Sequence, residues 1–307
     1  MVRVLGLNQK DTRPVRDGLE KASATRDKWE LFHGLVQRRC IAGVVQNAQE
    51  LLESEHLRSR SYIVPTQVGD RLIHAPGAPA KLSTTPWALD RRAPAIGEDD
   101  GDVETTVPKK RRSAGKRDLP LKGIRVLAFT QAWAGTFATQ LLGLLGADVV
   151  QIESCKRPDV WRGAGAPVPP AVRNPDIEQN PLNNNGMYNT VNLNKRAITL
   201  DMANPRGRDM FWRMVPQFDV VADNFSPHVM GNWGVTMETL REHRKDIIFA
   251  SVSGYGATGP LAQYPANGAT TEPMAGLSSI HGYEGEILSL IHISEPTRPR
   301  LISYAVL

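Results

Sequence analysis

Between Leu121 and Ser253, short apolar runs alternate with helix-patterned segments. That alternation constrains the fold more than any other feature of the chain. Ile124-Arg-Val-Leu-Ala-Phe suits a strand buried on both faces. Helical text runs from Ala134 and ends near Gly146, and Asp148-Val-Val-Gln-Ile-Glu153 reads as a second strand. Strand, helix and strand in so few residues make a βαβ unit, the building block of a doubly wound parallel sheet. Further units follow. Ala197-Ile-Thr-Leu is a strand, and Pro205 to Val215 is a helix with Asn204 as cap and Pro205 at its first position. Asp219 to Asp223 is a strand, a helix lies near Met237 to His243, and Ile247 to Ser253 is the next strand.

The expected fold class is therefore α/β: a Rossmann-like parallel sheet with flanking helices, preceded by a mixed helical and short-strand segment. In that preceding segment, Trp29, Leu31, Phe32, Leu35 and Val36 share one face of an amphipathic helix, with Thr25 as N-cap. A second helix is expected from Asn47 to Arg60, carrying Leu51, Leu52 and Leu57. Strand-like pieces at Tyr62-Ile-Val and Arg71-Leu-Ile-His, then turns at Pro76, Pro79 and Pro86, complete it. Residues 98–120 set an acidic run, Glu98-Asp-Asp-Gly-Asp, before a basic one, Lys109-Lys-Arg-Arg-Ser-Ala-Gly-Lys-Arg. Neither has core-forming residues, so the stretch reads as a charged linker.

Composition removes several classes of function. No apolar run approaches the 18 to 20 residues or so that span a bilayer, so no membrane partner is expected. The first residues have no long apolar stretch behind a basic start, and a cytoplasmic location is the default expectation. A net charge of +5 with no concentrated basic face in the patterned segments gives no reason to expect nucleic acid. Only Cys40 and Cys155 are present and the seven histidines are scattered, so neither a disulfide framework nor a metal site is expected. The first βα turn, Thr130-Gln-Ala-Trp-Ala-Gly135, has one glycine and a bulky Trp133. That departs from the GxGxxG turn that lets a backbone approach a dinucleotide pyrophosphate. There is no Walker A loop, and Ser253-Gly-Tyr-Gly lacks the glycine of a nucleophile elbow.

Several segments, in order, resemble family III CoA-transferases, the group that includes formyl-CoA and carnitine CoA-transferases. Leu121-Lys-Gly-Ile-Arg-Val-Leu is similar to the family's first strand. Gly135-Thr-Phe-Ala-Thr-Gln140 and Leu145-Gly-Ala-Asp-Val-Val-Gln-Ile-Glu153 are similar to its first helix and second strand. Asn192-Leu-Asn-Lys-Arg-Ala-Ile-Thr-Leu-Asp201 resembles its NxNKRSxxLD signature. Ala222-Asp-Asn-Phe-Ser-Pro227 resembles its ENFRPG loop, Ser251 to Pro260 its SxSGFGxxGP turn, and Met274-Ala-Gly-Leu its MSGL helix.

The resemblance implies a reaction. An aspartate carboxylate attacks an acyl-CoA thioester, a mixed anhydride and then an enzyme thioester form, and an acceptor carboxylic acid takes the CoA. Coenzyme A thioester is then a substrate, and no cofactor is implied. The implied CoA contacts fall in three places. They are Gln131, Ala132, Trp133 and Ala134 after the first strand; Leu200, Asp201 and Met202; and Asn224, Phe225, Asn232 and Trp233. Apolar walls and main-chain amides would take the adenine, and polar groups the phosphates. A plainer reading of the same residues stays open: Asn192, Asn194 and Asn224 as turn formers, and Lys195-Arg196 as a solvated pair. Family members with an arginine directly after the second-strand Glu differ from this chain, which has Ser154 and then Cys155-Lys-Arg157. A phosphate contact is expected at Lys156 or Arg157, or not at all. His228 stands where the ENFxPG loop has glycine.

Residues 1–97 also resemble the family, but its closing part. Lys28 to Arg39, Ala42 to Leu52, His56-Leu-Arg-Ser-Arg, Pro76 to Trp87 and Ala95-Ile-Gly-Glu are similar to the late helices and the end of these enzymes. The chain thus reads as the C-terminal portion of a first domain (1–97), a charged linker (98–120) and the N-terminal portion of a second domain (121–287). The resemblance implies two interlocked chains, and a tandem fusion could supply both in one polypeptide, so an interlocked dimer or an intramolecular pseudo-dimer is expected. Leu288-Ser-Leu-Ile-His-Ile-Ser-Glu-Pro-Thr-Arg298 and Ile302-Ser-Tyr-Ala-Val306 match the translation of a sequencing-library adapter, so residues 288–307 are expected to be non-native. The family's nucleophilic aspartate would lie beyond Gly282, where this adapter-like text stands. No catalytic residue is therefore assigned, and Glu272 is not taken as one. A CoA-transferase and a non-catalytic CoA-binding module both fit the sequence.

Overall fold

The computed structural model of the chain describes residues 23–101, 118–162, 181–183 and 185–281. The basic run at 109–117, Gly282 and the 288–307 segment lie outside the described residues. Two units emerge: residues 23–101 together with 258–281, and residues 118–257.

The first unit joins two stretches far apart in sequence. Helices α1 (Lys28–Val36), α2 (Ala48–Glu53) and α3 (Glu55–Ser59) precede an antiparallel hairpin of β1 (Ile63–Val68) and β2 (Arg71–Pro76). α1 buries Phe32 and Val36 of the expected apolar face. Its cap is Asp27, not Thr25, because the Asp27 carboxylate accepts the N–H groups of Trp29 and Glu30 at 2.9 and 3.0 Å. A carboxylate there also meets the positive end of the helix. The single helix expected from Asn47 to Arg60 is two. Asn47 and Glu50 form a capping box that starts α2. Ser54 then turns to φ −57°, ψ 116° and its hydroxyl caps α3.

The 258–281 stretch closes the unit. Gln46 donates from its main chain to Pro273 O at 3.1 Å and from its side chain to Met274 O at 2.7 Å. His56 Nδ1 accepts the N–H of Leu261, and Phe32 meets Tyr264 edge-on at 5.6 Å. Gly43 is needed where it is, since a Cβ there would lie 2.4 Å from Thr270 O on the Gly268–Met274 helix.

The second unit runs β3 (Arg125–Phe129), α4 (Ala134–Leu144), β4 (Asp148–Glu153), α5 (Gly186–Val191) and β5 (Arg196–Thr199). It continues with α6 (Pro205–Met214), β6 (Val220–Asp223), α7 (His228–Asn232), α8 (Met237–His243) and β7 (Ile248–Ser251). All neighbouring strands pair in parallel, in the order β5-β4-β3-β6-β7. The α/β reading of the sequence is thus the observed architecture. As expected for a central parallel strand, β3 is buried on both faces. Leu127 and Phe129 join a large core with Phe211, Val215, Val221 and Leu240, while Val126 and Ala128 pack with Ala147, Val149 and Ala222 on the other side. α4 turns a small, polar face inward, burying Gly135, Thr136, Thr139, Gln140 and Gly143. These side chains can bond to main-chain groups of the adjoining loops, as the Thr136 hydroxyl does to the Ala132 carbonyl.

Candidate substrate site at the switch point

The chain winds outward from β3 to β4 and β5, then returns to lay β6 and β7 on the opposite side of β3. The loops after β3 and β6 therefore diverge, and such a topological switch point is where open α/β sheets receive ligands. All three groups of residues assigned to CoA by resemblance follow the carboxyl ends of strands: 131–134 after β3, 200–202 after β5, and 224–225 with 232–233 after β6.

Side chains fix the β3 loop in detail. At its start, Gln151 of β4 is buried and donates its amide to Thr130 O, while Thr130 Oγ1 donates back to Gln151 Oε1 at 2.9 Å. Next, Asn224 accepts from Gln131 N at 2.8 Å and donates to Gln131 O at 2.7 Å. Then Asp159, 1% exposed, accepts from Ala132 N at 2.8 Å. Finally Thr136 Oγ1 donates to the carbonyls of Ala132 and Trp133. These clamps hold Ala132 at φ +57°, a left-handed conformation that a residue with a Cβ adopts at a cost. Gly135 belongs to the same device, because a Cβ there would come within 2.7 Å of Asn224 Cβ.

The NKR signature works from behind the loop. Asn194, also left-handed at φ +59°, donates to Gly143 O, and Gln140 accepts from Leu193 N at 2.9 Å. Lys195 donates to Thr136 O at 2.8 Å and to Asn192 Oδ1 at 2.9 Å. Arg196 pairs with Asp148. Thus Leu193, Asn194 and Lys195 bind the start of β5 to α4, which carries the site loop at its N-terminus. Burial pushes the Lys195 amine down to about 7, against the pull of Asp159 and Glu153. Its two hydrogen bonds are the two that a neutral amine can donate.

A compact ionic group supports the end of β4. Arg162 grips Glu153 with two bonds, at 2.7 and 2.6 Å, and lies 3.7 Å over the Tyr188 ring, whose hydroxyl also donates to Glu153. Burial works against the Glu153 carboxylate, but the bonds from Arg162 and Tyr188 prevail and hold it below the usual range. Burial also pushes Asp159 and Asp223 up.

The remaining expected site residues vary in position. Trp133 and Ala134 are half-buried at the start of α4. Leu200 is half-buried, and Met202, at 3% exposure, belongs to the core. Asp201 pairs with Lys156 at 2.8 Å, so the cation offered as a phosphate contact is joined to another expected site residue. Phe225 meets Trp233 edge-on at 5.8 Å, and Asn232 is exposed. Glu272, in the other unit, accepts from Ser278 Oγ. Sequence reading overlooked Asp159, Thr136 and Gln151. Of these, Gln151 carried a signal: a polar side chain in a strand buried on both faces needs a dedicated partner.

The parallel sheet and its strand order define an open, doubly wound α/β fold, a class in which the switch point is the usual place for a ligand. The chain belongs to CoA-transferase family III, whose family model matches residues 6–100 and 121–296. It is 34% identical to a succinate–glutarate CoA-transferase of Agrobacterium fabrum over 54% of this chain and 40% of that one. It is 29% identical to the succinyl-CoA–L-malate CoA-transferase alpha subunit of Chloroflexus aurantiacus over 70% of this chain and 46% of the other. The chain therefore spans less than half the length of these relatives. The crystal structure of a CAIB/BAIF family protein from Brucella suis is similar with a TM-score of 0.50 and 28% identity, over 56% of this chain and 43% of that one. Among the described residues no helix is long and apolar enough to cross a membrane, and no cluster of His, Cys, Asp and Glu could hold a metal.

Proposed function

We propose that the switch-point loops hold the CoA portion of an acyl-CoA, and that the protein carrying them moves CoA between an acyl-CoA thioester and a carboxylic acid. In this reaction an aspartate carboxylate attacks the thioester carbonyl, the C–S bond breaks, and CoA leaves as thiolate from a mixed anhydride. The thiolate then attacks the aspartyl carbonyl, releasing the acyl group as a free acid and leaving an enzyme thioester. The acceptor carboxylate repeats the exchange in reverse order and departs as the new acyl-CoA. Each step trades a carboxylate for a thiolate, so fixed main-chain dipoles are needed mostly for the tetrahedral oxyanions.

One observation carries the reading. Asn224 ties both polar main-chain groups of Gln131 across the β3–β6 switch point, so two loops assigned to CoA form one preorganised structure. Trp133, Phe225 and Trp233 offer half-buried aromatic surface nearby in sequence, and the Lys156–Asp201 pair brings charge to the loop after β5. The same reading takes 1–97 and 121–287 as the end of one transferase domain and the beginning of another, with 288–307 as adapter-derived text. Two separate stretches matching one family model support the tandem part. It also has the two domains interlock as a pseudo-dimer in a cytoplasmic protein, with the catalytic aspartate supplied outside these residues.

Titration of the chain with CoA and with NAD tests the assignment. Saturable CoA binding without NAD binding is expected, and NAD binding without CoA binding would overturn it. Acyl exchange between an acyl-CoA and a free acid is expected to be absent. Exchange that disappears on Glu272→Ala would place the nucleophile in this chain after all. Extending the reading frame beyond residue 287 separates the transferase from a non-catalytic CoA-binding module: an aspartate followed by a glycine-containing turn favours the enzyme.

A further inference from the structure

We propose that Asp159 is a positioning residue for the CoA loop, holding Ala132 in its left-handed conformation; this rests on the CoA reading of that loop. Asp159 reaches the loop from a different part of the chain, the turn after β4. Its carboxylate has one oxygen for each of two amides: Oδ2 accepts from Ala132 N and Oδ1 from Trp161 N, both at 2.8 Å. The side chain is 1% exposed, so both bonds form away from water, where an unmade bond is most costly.

The brace is stiff at both ends. Trp161 and Arg162 form the short 3-10 turn that comes next, and Arg162 is fastened to Glu153 at the end of β4 by two bonds. At the loop end, the Ala132 carbonyl is held by the Thr136 hydroxyl while its N–H is held by Asp159. Thr136 O in turn accepts from Lys195. Ala132 has a Cβ and gains nothing locally from φ +57°, so its conformation depends on these partners. The bracing also shapes recognition. With the amides of Gln131 and Ala132 committed to Asn224 and Asp159, those two N–H groups are already taken and are not offered to a ligand.

Amide-resolved hydrogen exchange and CoA titration on the full chain test the role, with Asp159→Ala and Asp159→Asn compared. In Asp159→Ala the Ala132 amide is expected to exchange at least tenfold faster, while the β3 and β4 amides keep their protection. CoA affinity is expected to fall at least tenfold. Asp159→Asn keeps one acceptor oxygen and should recover part of both. Unchanged Ala132 exchange in Asp159→Ala would overturn the proposal. So would uniform loss of protection across the sheet in Asp159→Asn, which marks a merely structural role. If the unaltered chain binds no CoA, the ligand assignment fails, and the exchange data still decide whether Asp159 holds the loop.

Discussion

The Asn224 side chain accepts a hydrogen bond from Gln131 N at 2.8 Å and donates one to Gln131 O at 2.7 Å, across 93 residues of sequence. An amide side chain here imitates a strand neighbour, continuing the β3–β6 pairing one residue past the end of β6. The loops at the switch point are thereby tied to one another without a ligand, which lowers the cost of ordering them when one binds.

Removing the imitation should have a measurable cost. Asn224→Ala leaves a part-buried N–H and C=O of Gln131 without their partners and is expected to destabilise the second unit by about 1–3 kcal/mol. Asn224→Asp keeps the acceptor but sets a carboxylate against the Gln131 carbonyl, and should be no better. Urea denaturation of the variants reads both.

Gly135→Ala tests the same junction sterically. The substitution favours a helix by about 1 kcal/mol in open surroundings. Here the new methyl would sit 2.7 Å from Asn224 Cβ and 2.8 Å from Thr130 Cγ2. Net destabilisation of about 1–3 kcal/mol is expected in a melt, and a gain in stability would show that the junction yields.

Lys195 gives a pH signature. Its folded pKa of about 7 lies below the ordinary lysine value, so between those two the unfolded chain holds a proton that the folded chain does not. Stability therefore rises with pH from about 7 toward 10, and below about 7 the full cost of the buried ammonium remains. Lys195→Met should flatten that rise, as read by denaturation at pH 6, 7.5 and 9. An identical slope in the variant would mean that another group is responsible.

The Glu153–Arg162 pair, 8% and 15% exposed, should be intolerant of losing one partner. Arg162→Met leaves an uncompensated carboxylate and is expected to cost about 3–5 kcal/mol, whereas Tyr188→Phe removes a single bond and should cost about 1 kcal/mol. Because the Glu153 carboxyl is held below its ordinary range, its contribution is present above the unfolded value and is lost as pH falls through the folded one. In Arg162→Met burial of Glu153 is no longer offset by the guanidinium, so the deficit of the variant should be largest above the ordinary carboxyl range and should shrink as pH falls, as read by denaturation at several pH values.

The sheet was legible because short apolar runs such as Val126 to Phe129, recurring between helix-patterned segments, suit strands buried on both faces, and the start of α6 because Asn204-Pro205 is a cap followed by a first-turn proline. The break at Ser54 was not, since a serine inside helical text reads equally well as an exposed helix residue. Nor was the division into units, because the partners of Gln46 and His56 lie more than 200 residues away. At the site, residue types were visible but their pairings were not. Asn194 and Lys195 carry a ligand-like signature, yet their polar atoms bind α4. Asn224 likewise spends its amide on Gln131. Side-chain clamps of this kind depend on how distant loops meet, which no local pattern encodes.

The most direct test of the central claim is a calorimetric titration of CoA into the chain and into Asn224→Ala, with the fold of each checked by its melt. A saturable, single-site isotherm that weakens at least tenfold in the variant is the expected result. No CoA binding by the unaltered chain, or equal affinity in a folded Asn224→Ala, would contradict the claim that the clamped switch-point loops receive CoA.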